Sequence, residues 1–295
     1  MELRQLRYLV ALAEERSFTR AASKVLVAQP ALSQQIAKLE TELGVPLVDR
    51  TTRRVGMTEA GDRLVEHARR VLREVEVAEE ELADLAGLRS GRLTIGASAT
   101  VAGFDLLGLL ATFHRRYPGV DLAVREDLSV SLAAQLRADE LDLAFITIPS
   151  GPATEGLDRR LVSTEEMVAV LPPDHELSRR RALRMRDLEP ETVVAFRHGA
   201  TIRRRMDEAA ARAGFELRVA FETNEVARMR ALAAAGLAIA VLPRSDAEQP
   251  GPPIAAVPFD EPGFRHTVYM CARTGRHHSP AARALIDLTP AAAAA

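Results

Sequence analysis

Thr19–Glu40, TRAASKVLVAQPALSQQIAKLE, decides how the rest of the chain is read. Its spacing predicts two short helices joined by a tight turn. The first runs from Phe18 to about Leu26, with Ser17 placed as an N-cap. The turn is Val27-Ala28-Gln29. The second helix opens at Pro30, whose missing N–H is no loss in a first turn. It continues to about Leu43 and stops at Gly44, a favoured residue just past a helix end. Apolar residues fall at Ala21, Ala22, Val25 and Leu26, then at Ala31, Leu32, Ile36 and Leu39, in the i, i+3, i+4 rhythm of amphipathic helices. The other face of the second helix carries Gln29, Ser33, Gln34, Gln35 and Lys38. These amide, hydroxyl and ammonium groups suit base edges and phosphates in a major groove. Thr19, Arg20 and Pro30, near the two helix starts, join Gln29, Ser33, Gln34 and Lys38 as candidate contacts. The small Ala21-Ala22 pair lets the helices approach closely, as in a helix-turn-helix. An ordinary helical hairpin with a solvated polar face has the same periodicity, so the flanks must decide.

On one side lies a helix from Leu3 to Glu15, with Leu6, Leu9, Val10 and Ala13 on one face. On the other come Val45-Pro46-Leu47-Val48 and Asp49-Arg50-Thr51-Thr52-Arg53-Arg54-Val55. That is a short hairpin with Arg50, Arg53 and Arg54 at its tip, the shape of a wing beside a recognition helix. Residues 1–58 hold nine Lys or Arg against six Asp or Glu, in a chain of net charge −2. The positive charge is local, as phosphate binding requires.

The N-terminal part, to about residue 70, resembles the LysR-type transcriptional regulators. The resemblance is carried by Leu6-Arg7-Tyr8-Leu9-Val10, Ser17-Phe18-Thr19-Arg20-Ala21-Ala22, Gln29-Pro30-Ala31-Leu32-Ser33, Leu39-Glu40, Leu43-Gly44-Val45-Pro46-Leu47, Asp49-Arg50 and Met57-Thr58-Glu59-Ala60-Gly61. The chain departs from the family at Ala28, where Ser or Thr is usual, at Gln34, often Arg, and at Val48, usually Phe. The departures bear on base preference rather than on DNA binding. The resemblance implies double-stranded DNA as a partner.

A chain of 295 residues, 47% hydrophobic and 27% charged, has room for two or three domains with buried cores. No stretch is long and apolar enough to span a bilayer, and the start reads as a polar amphipathic helix rather than a signal peptide. The single cysteine, Cys271, excludes an internal disulfide and a two-cysteine redox switch, and fits a cytoplasmic location. Of 39 Lys and Arg, only Lys24 and Lys38 are lysines.

Thr58 is placed to cap a long helix. From Leu64 the apolar residues step by four and three through Ala68, Val71, Val75, Ala78, Leu82 and Leu85, which gives three heptads of seam positions. So narrow a stripe on so long a helix calls for a partner helix. The resemblance makes it a linker that pairs with its twin in a homodimer, and implies tetramers as dimers of dimers.

From Arg92 short apolar strands alternate with helices. The order is strand Leu93–Ala97, helix Gly103–Tyr117, strand Val120–Arg125, helix Val130–Ala138 and strand Leu141–Ile146. A second unit opens near Leu161, with strands Glu166–Leu171, Thr192–Phe196, Leu217–Phe221 and Leu237–Leu242. Between them lie helices Ile202–Ala213 and Glu225–Ala235. Strand His266–Ala272 and helix Pro280–Leu288 close the chain. The pattern predicts parallel α/β units with right-handed crossovers. The expected organisation is a winged helix-turn-helix (1–58), a linker helix (59–90) and a two-lobed effector-binding domain (91–295). Lobe I would hold 91–161 and 264–290, and lobe II 162–263. The fold class is α/β. Leu141-Asp142-Leu143-Ala144 and Ala235–Pro243 extend the resemblance to the family's effector domain, which is similar to type II periplasmic binding proteins.

Ligands of open α/β sheets sit at the carboxyl ends of strands. Ser98-Ala99-Thr100 ends the first strand ahead of an expected helix start, and Thr147 ends the third. Phe196 and Arg197 precede the helix beginning at Thr201 and Ile202, and Thr223-Asn224 repeats the arrangement. Backbone N–H groups at helix starts, hydroxyls and Arg197 favour an anion, with Phe196 and Ile202 as apolar walls. Glu126 and Asp127 are placed to orient or exclude part of a ligand. A small organic anion between the lobes is therefore the expected effector.

No Gly-x-Ser-x-Gly elbow, Walker loop, dinucleotide fingerprint or His-Glu-x-x-His is present. His277-His278 lacks a convincing third ligand, so neither a metal, a cofactor nor catalysis is expected. The alternatives are a solute-binding α/β protein with a structural helical head, or an α/β enzyme. The basic wing and the Gln29/Ser33 face favour the regulator.

Two classes of DNA contact are thereby separated. Arg50→Ala, Arg53→Ala or Arg54→Ala should weaken binding to all sequences alike and lower the salt slope by about one unit. Gln29→Ala and Ser33→Ala should cost about 1–3 kcal/mol, mainly at the cognate site. Salt-dependent binding titrations on cognate and scrambled duplexes read the difference.

Overall fold

A computed structural model describes residues 1–49, 55–85, 91–147 and 155–290, with the backbone alone for 79–85. Arg50, Arg53 and Arg54, and the side chains of Leu82 and Leu85, lie outside the described residues. The chain divides into two compact units near residue 90.

The N-terminal unit comprises α1 (Leu3–Glu15), α2 (Phe18–Lys24), α3 (Gln29–Leu43), β1 (Val48–Asp49), β2 (Gly56–Met57) and α4 (Glu59–Leu85). Its core gathers Leu9, Leu12, Ala21, Ala22, Leu32, Ile36, Leu39, Leu47 and Val65. Ser17 Oγ accepts the Arg20 N–H across the first turn of α2. That helix ends two residues before the expected Leu26, which is 92% exposed with φ +57°. The Val27 N–H reaches back to the Ala22 carbonyl, closing the helix end through a left-handed residue. Glycine is usual there; a leucine costs about 1–2 kcal/mol. At the end of α3 the expected Gly44 does take the left-handed turn, with φ +72°.

β1 and β2 pair antiparallel, Val48 opposite Met57 and Asp49 opposite Gly56. Glu40, on the last turns of α3, fixes this hairpin: its Oε1 accepts the Leu47 and Val48 N–H groups at 2.8 and 3.1 Å. Thr58 Oγ1 donates to the Pro46 carbonyl and accepts the Gly61 N–H, capping α4 as expected. A Cβ at Gly61 would run into the Leu47 carbonyl, so the close approach of α4 to the hairpin requires glycine. Along α4, Val65 and Ala68 are buried, Val71 is 43% exposed, Val75 is half-buried and Ala78 is exposed.

The C-terminal unit contains β3 (Gly91–Ala97), α5 (Leu106–Arg116), β4 (Val120–Glu126), α6 (Ser129–Arg137), β5 (Leu143–Ile146) and β6 (Leu157–Leu171). It continues with β7 (Thr192–Ala195), α7 (Thr201–Ala213), β8 (Arg218–Glu222), α8 (Val226–Ala234) and β9 (Ile239–Pro243). The last elements are α9 (Arg244–Ala247), β10 (Ala255–Pro258), β11 (Arg265–Arg273) and α10 (Pro280–Leu288). The strands hydrogen-bond in the order β4-β3-β5-β11-β6-β9-β7-β8, with β10 also on β6. The β4-β3-β5 and β8-β7-β9 sets are parallel. They form two lobes, each with its own core. Leu93, Ile95, Phe113, Phe145 and Leu285 fill one; Val168, Val194, Met206, Met229 and Leu242 fill the other. On β5, Leu143 and Phe145 face the first core, while Ala144 and Ile146 pack with Leu132 and Leu136 of α6. Burial on both faces explains the near-continuous apolar runs of these strands.

β6 corrects the expectation most. A strand read from Glu166 begins at Leu157, and the lobe division expected near Leu161 falls inside it. Leu157–Glu166 pair with β11 in the first lobe, and Met167–Val170 pair with β9 in the second. Asp158, Arg159 and Arg160 disguise this strand in the sequence, yet each finds a partner. Asp158 accepts the Thr274 hydroxyl, Arg159 lies over the Tyr269 ring, and Arg160 donates to the Ile286 carbonyl. The first lobe also holds a buried ion pair. Arg276 Nη2 donates to Asp142 Oδ1 at 2.7 Å, and Asp142 Oδ2 accepts the Thr94 N–H.

Beside the crossing lie two buried titratable groups with opposite pH behaviour. Burial pushes His266 down to about 4, and burial together with the nearby Glu165 carboxylate pushes Asp246 up to about 6. Between about pH 6.5 and 4 the unfolded chain binds a proton at His266 that the folded chain refuses, so acidification costs stability there. Between about pH 6 and 3.8 the folded chain holds a proton at Asp246 that the unfolded chain releases, so acidification adds stability. The two slopes oppose. From pH 7 to 4.5, Asp246→Asn should lose more stability than the parent chain and His266→Gln less, as read by urea unfolding across a pH series.

Candidate functional site

The exposed surface of α3 assembles most of the expected reading residues. Gln29, Pro30, Gln34 and Lys38 are exposed and Ser33 is half-buried, all within one 15-residue helix. The helix opens one residue before Pro30, with Ala28 as an N-cap that offers no side-chain acceptor. The Ala31 and Leu32 N–H groups turn back to the Ala28 carbonyl and Pro30 has none, so of this first turn the Gln29 N–H is the one left for an incoming oxygen. Thr19 and Arg20 are exposed on α2. Arg20 is already engaged by the side chain and carbonyl of Glu15, and Lys38 lies 3.6 Å from Glu2 and 3.9 Å from Glu42. These are exposed pairs of small net worth, readily exchanged for phosphate. Glu40, quoted in the sequence only as a motif letter, sets the hairpin against α3; its place seven residues before Leu47 was the available signal.

In the larger unit a cavity of about 210 Å³ opens between the lobes. It is lined by Ser98, Ala99, Thr100, Glu126, Asp127, Leu128, Ser129 and Thr147 of one lobe and by Phe196, Ala200, Thr201, Ile202 and Asn224 of the other. Seven of the expected effector residues meet here: Ser98, Ala99, Thr100, Thr147, Phe196, Thr201 and Ile202. The lobes touch across it, where the Thr201 hydroxyl donates to the Thr147 carbonyl at 3.1 Å. Gly199, at φ +93°, lies against Leu128 and carries the chain from Phe196 into α7.

α7 points its first turn at the cavity, and no side chain caps it among the described residues. Thr147 is 2% exposed, and its Oγ1 has no hydrogen-bond partner among them. The Ser129 Oγ accepts the Thr147 N–H, which leaves its own proton free to donate. His266 Nε2 lies 3.1 Å from the Thr100 carbonyl, a contact that places the ring proton on Nε2. Asp127 caps α6: it accepts the Leu128 N–H, the Ser131 hydroxyl and the Gln135 amide, and these hold its carboxyl below the usual range.

Three expectations are corrected. Ser98–Thr100 does not open a helix. α5 starts at Leu106, where Asp105 accepts the Gly108 N–H, and Gly103 at φ +70° turns the chain between them. Arg197 is exposed and does not line the cavity; its N–H donates to Asn224 Oδ1. Thr223 is buried, with its hydroxyl taken by the Glu225 N–H at the start of α8. The cation held close to this loop is Arg203, bound to Glu222, Asp207 and the Phe196 carbonyl, and these acceptors leave it no free fork. Leu128 and Ser129 were missed; the shared start of α6 and the end of β4 was the signal. Among the described residues no group of His, Cys, Asp and Glu could hold a metal, and no helix is long and apolar enough to cross a membrane.

Comparison with known proteins identifies both units. Residues 3–62 match the model of the bacterial regulatory helix-turn-helix protein, lysR family, and residues 86–294 match the LysR substrate binding domain. The hydrogen peroxide-inducible genes activator of Pectobacterium carotovorum subsp. carotovorum is 35% identical over 93% of this chain and 91% of its own length. The RuBisCO operon transcriptional regulator of Allochromatium vinosum is 30% identical over 100% of this chain and 97% of its own. A full-length OxyR variant from Pseudomonas aeruginosa superposes with a TM-score of 0.75 at 29% identity, covering 98% of this chain and 93% of that one. Helix-turn-helix, effector-type α/β unit and full-length relatives together show that the chain belongs to the LysR family of DNA-binding transcriptional regulators, and is not an enzyme.

Proposed function

We propose that this regulator is controlled by a small organic anion bound in the cavity between its lobes. The observation that supports this reading best is the uncapped start of α7 in a cavity also lined by Thr147, whose hydroxyl has no partner among the described residues. Free N–H groups, the helix dipole and a desolvated hydroxyl favour a carboxylate there. An anion touching both lobes stabilises one lobe angle over another, and that change of population alters how the DNA-binding units are presented. The setting is cytoplasmic, where such a regulator meets DNA.

The protein acts as a homodimer in this reading, and the tetramer remains an implication of the family. Val71, at a seam position of α4 and 43% exposed, supports pairing through the linker helix, since a lone helix gains nothing by leaving it in water. Val71→Asp would bury a charge in that seam. The variant should sediment as a monomer with an unchanged circular dichroism spectrum; an unchanged mass would place the contact elsewhere.

The Pectobacterium relative's name prompts a second reading, a response to hydrogen peroxide. Through a thiol it would have to run on Cys271, which is 1% exposed and whose thiol burial pushes up to about 12. Little thiolate is then present to react. Operator affinity measured by fluorescence anisotropy should therefore be indifferent to peroxide and should change with one member of a panel of small carboxylates. Thr147→Val should remove that response. A response to peroxide, or to none of the carboxylates, would overturn the reading.

A further inference from the structure

We infer that the occupant of this cavity is a small zwitterion, an α-amino acid or near analogue, whose carboxylate meets the start of α7 and whose ammonium faces Glu126. The inference rests on the organic-anion reading above and narrows it.

The lining is chemically lopsided. Among its residues there is no Lys, Arg or His, and there are two carboxylates, Glu126 and Asp127, both on the first lobe. Asp127 is fully employed, with three donors from Leu128, Ser131 and Gln135. Glu126 ends β4 and is exposed, and its carboxylate has no partner among the described residues. A simple monoanion would enter a cavity already biased negative, with neutral donors at one end only. A ligand that also carries a cation converts Glu126 from a repulsive neighbour into an acceptor.

The opposite end is built for the carboxylate. The open first turn of α7 supplies backbone N–H groups. Thr147, 98% buried by area, lines the same cavity, and its hydroxyl has no partner among the described residues. Asn224 joins them from the second lobe. Its Oδ1 is occupied by the Arg197 N–H at 3.1 Å, which turns the amide NH2 outward as a donor. Donors thus gather round the α7 end and an acceptor stands across the cleft, so head and tail of one small molecule would engage both lobes. The volume of about 210 Å³ lies below that of sites for drug-sized ligands and suits a molecule of amino-acid size. Phe196, Leu128 and Ile202 leave room for an apolar side chain.

Calorimetry on the full-length protein at neutral pH tests this. Pools of the twenty standard amino acids are titrated first. Any binder is then compared with its matched des-amino carboxylic acid and its matched decarboxylated amine. Each analogue should bind at least about ten-fold more weakly, the loss expected for one charge-assisted hydrogen bond. Glu126→Gln, an exposed and isosteric change, should cost the amino acid about ten-fold more than it costs the des-amino acid; Glu126→Asp should restore part of the difference. Equal binding of the des-amino acid overturns the zwitterion and leaves the anion reading standing. Equal binding of the amine overturns both, and binding of none of the twenty overturns the zwitterion alone.

Discussion

One strand serves two sheets, and the arrangement of the effector unit follows from that constraint. β6 spends its first ten residues bonded to β11 and its last few to β9 and β10. The first lobe is thereby discontinuous in sequence, completed by β11 and α10 after the chain has built the second, which runs unbroken from Met167 to Phe264. A shared strand transmits twist but resists stretching, because every peptide in it is held by a ladder on at least one side. The ladder passes from one lobe to the other between Glu166 and Met167, which is where the change of lobe angle proposed above would be absorbed. The Thr201–Thr147 hydrogen bond is the only direct polar contact between cavity residues of the two lobes among the described residues. A ligand that replaces or reinforces it has a large lever on the angle.

Electrostatics divide the labour. On α2 and α3 the N-terminal unit keeps Arg20 and Lys38 exposed and loosely paired. The effector unit instead locks its interior charges. Arg203 is held by Asp207 and Glu222, and Arg276 by Asp142. Arg276 and Asp142 are both buried, and such a pair deprived of one member is costly, about 3–5 kcal/mol; Arg203 is buried against acceptors that are themselves exposed. The cavity, in a chain rich in arginine, has none among its lining residues.

Much of this was legible in the letters. Ser17, Gly44, Thr58 and the Pro280–Leu288 helix act through local chemistry, in caps, turns and periodicity, and they stand where the letters place them. Ser98, Thr100, Thr147 and Thr201 were findable because strand ends and helix starts are local, and the α/β rule sends ligands there. Failures came where distant partners decide. Asp158, Arg159 and Arg160 look like loop until Thr274, Tyr269 and the α10 carbonyl are known. Leu26 fits the apolar rhythm, yet a backbone bond from Val27 turns it out into water. Ser98–Thr100 has the letters of a helix start, yet Asp105, seven residues past Ser98, is the residue that caps α5.

The scarcity of lysine has a chemical consequence. Both side-chain amines, Lys24 and Lys38, belong to the N-terminal unit, and every other cationic chain is a guanidinium or an imidazole. Lys24 is held by Glu14 and Glu15, which raise its pKa and keep it protonated. Acyl donors react with free amines and leave guanidinium groups alone. Acylation would therefore erase positive charge at Lys38, on the exposed face of α3, while leaving the charges of the effector unit untouched.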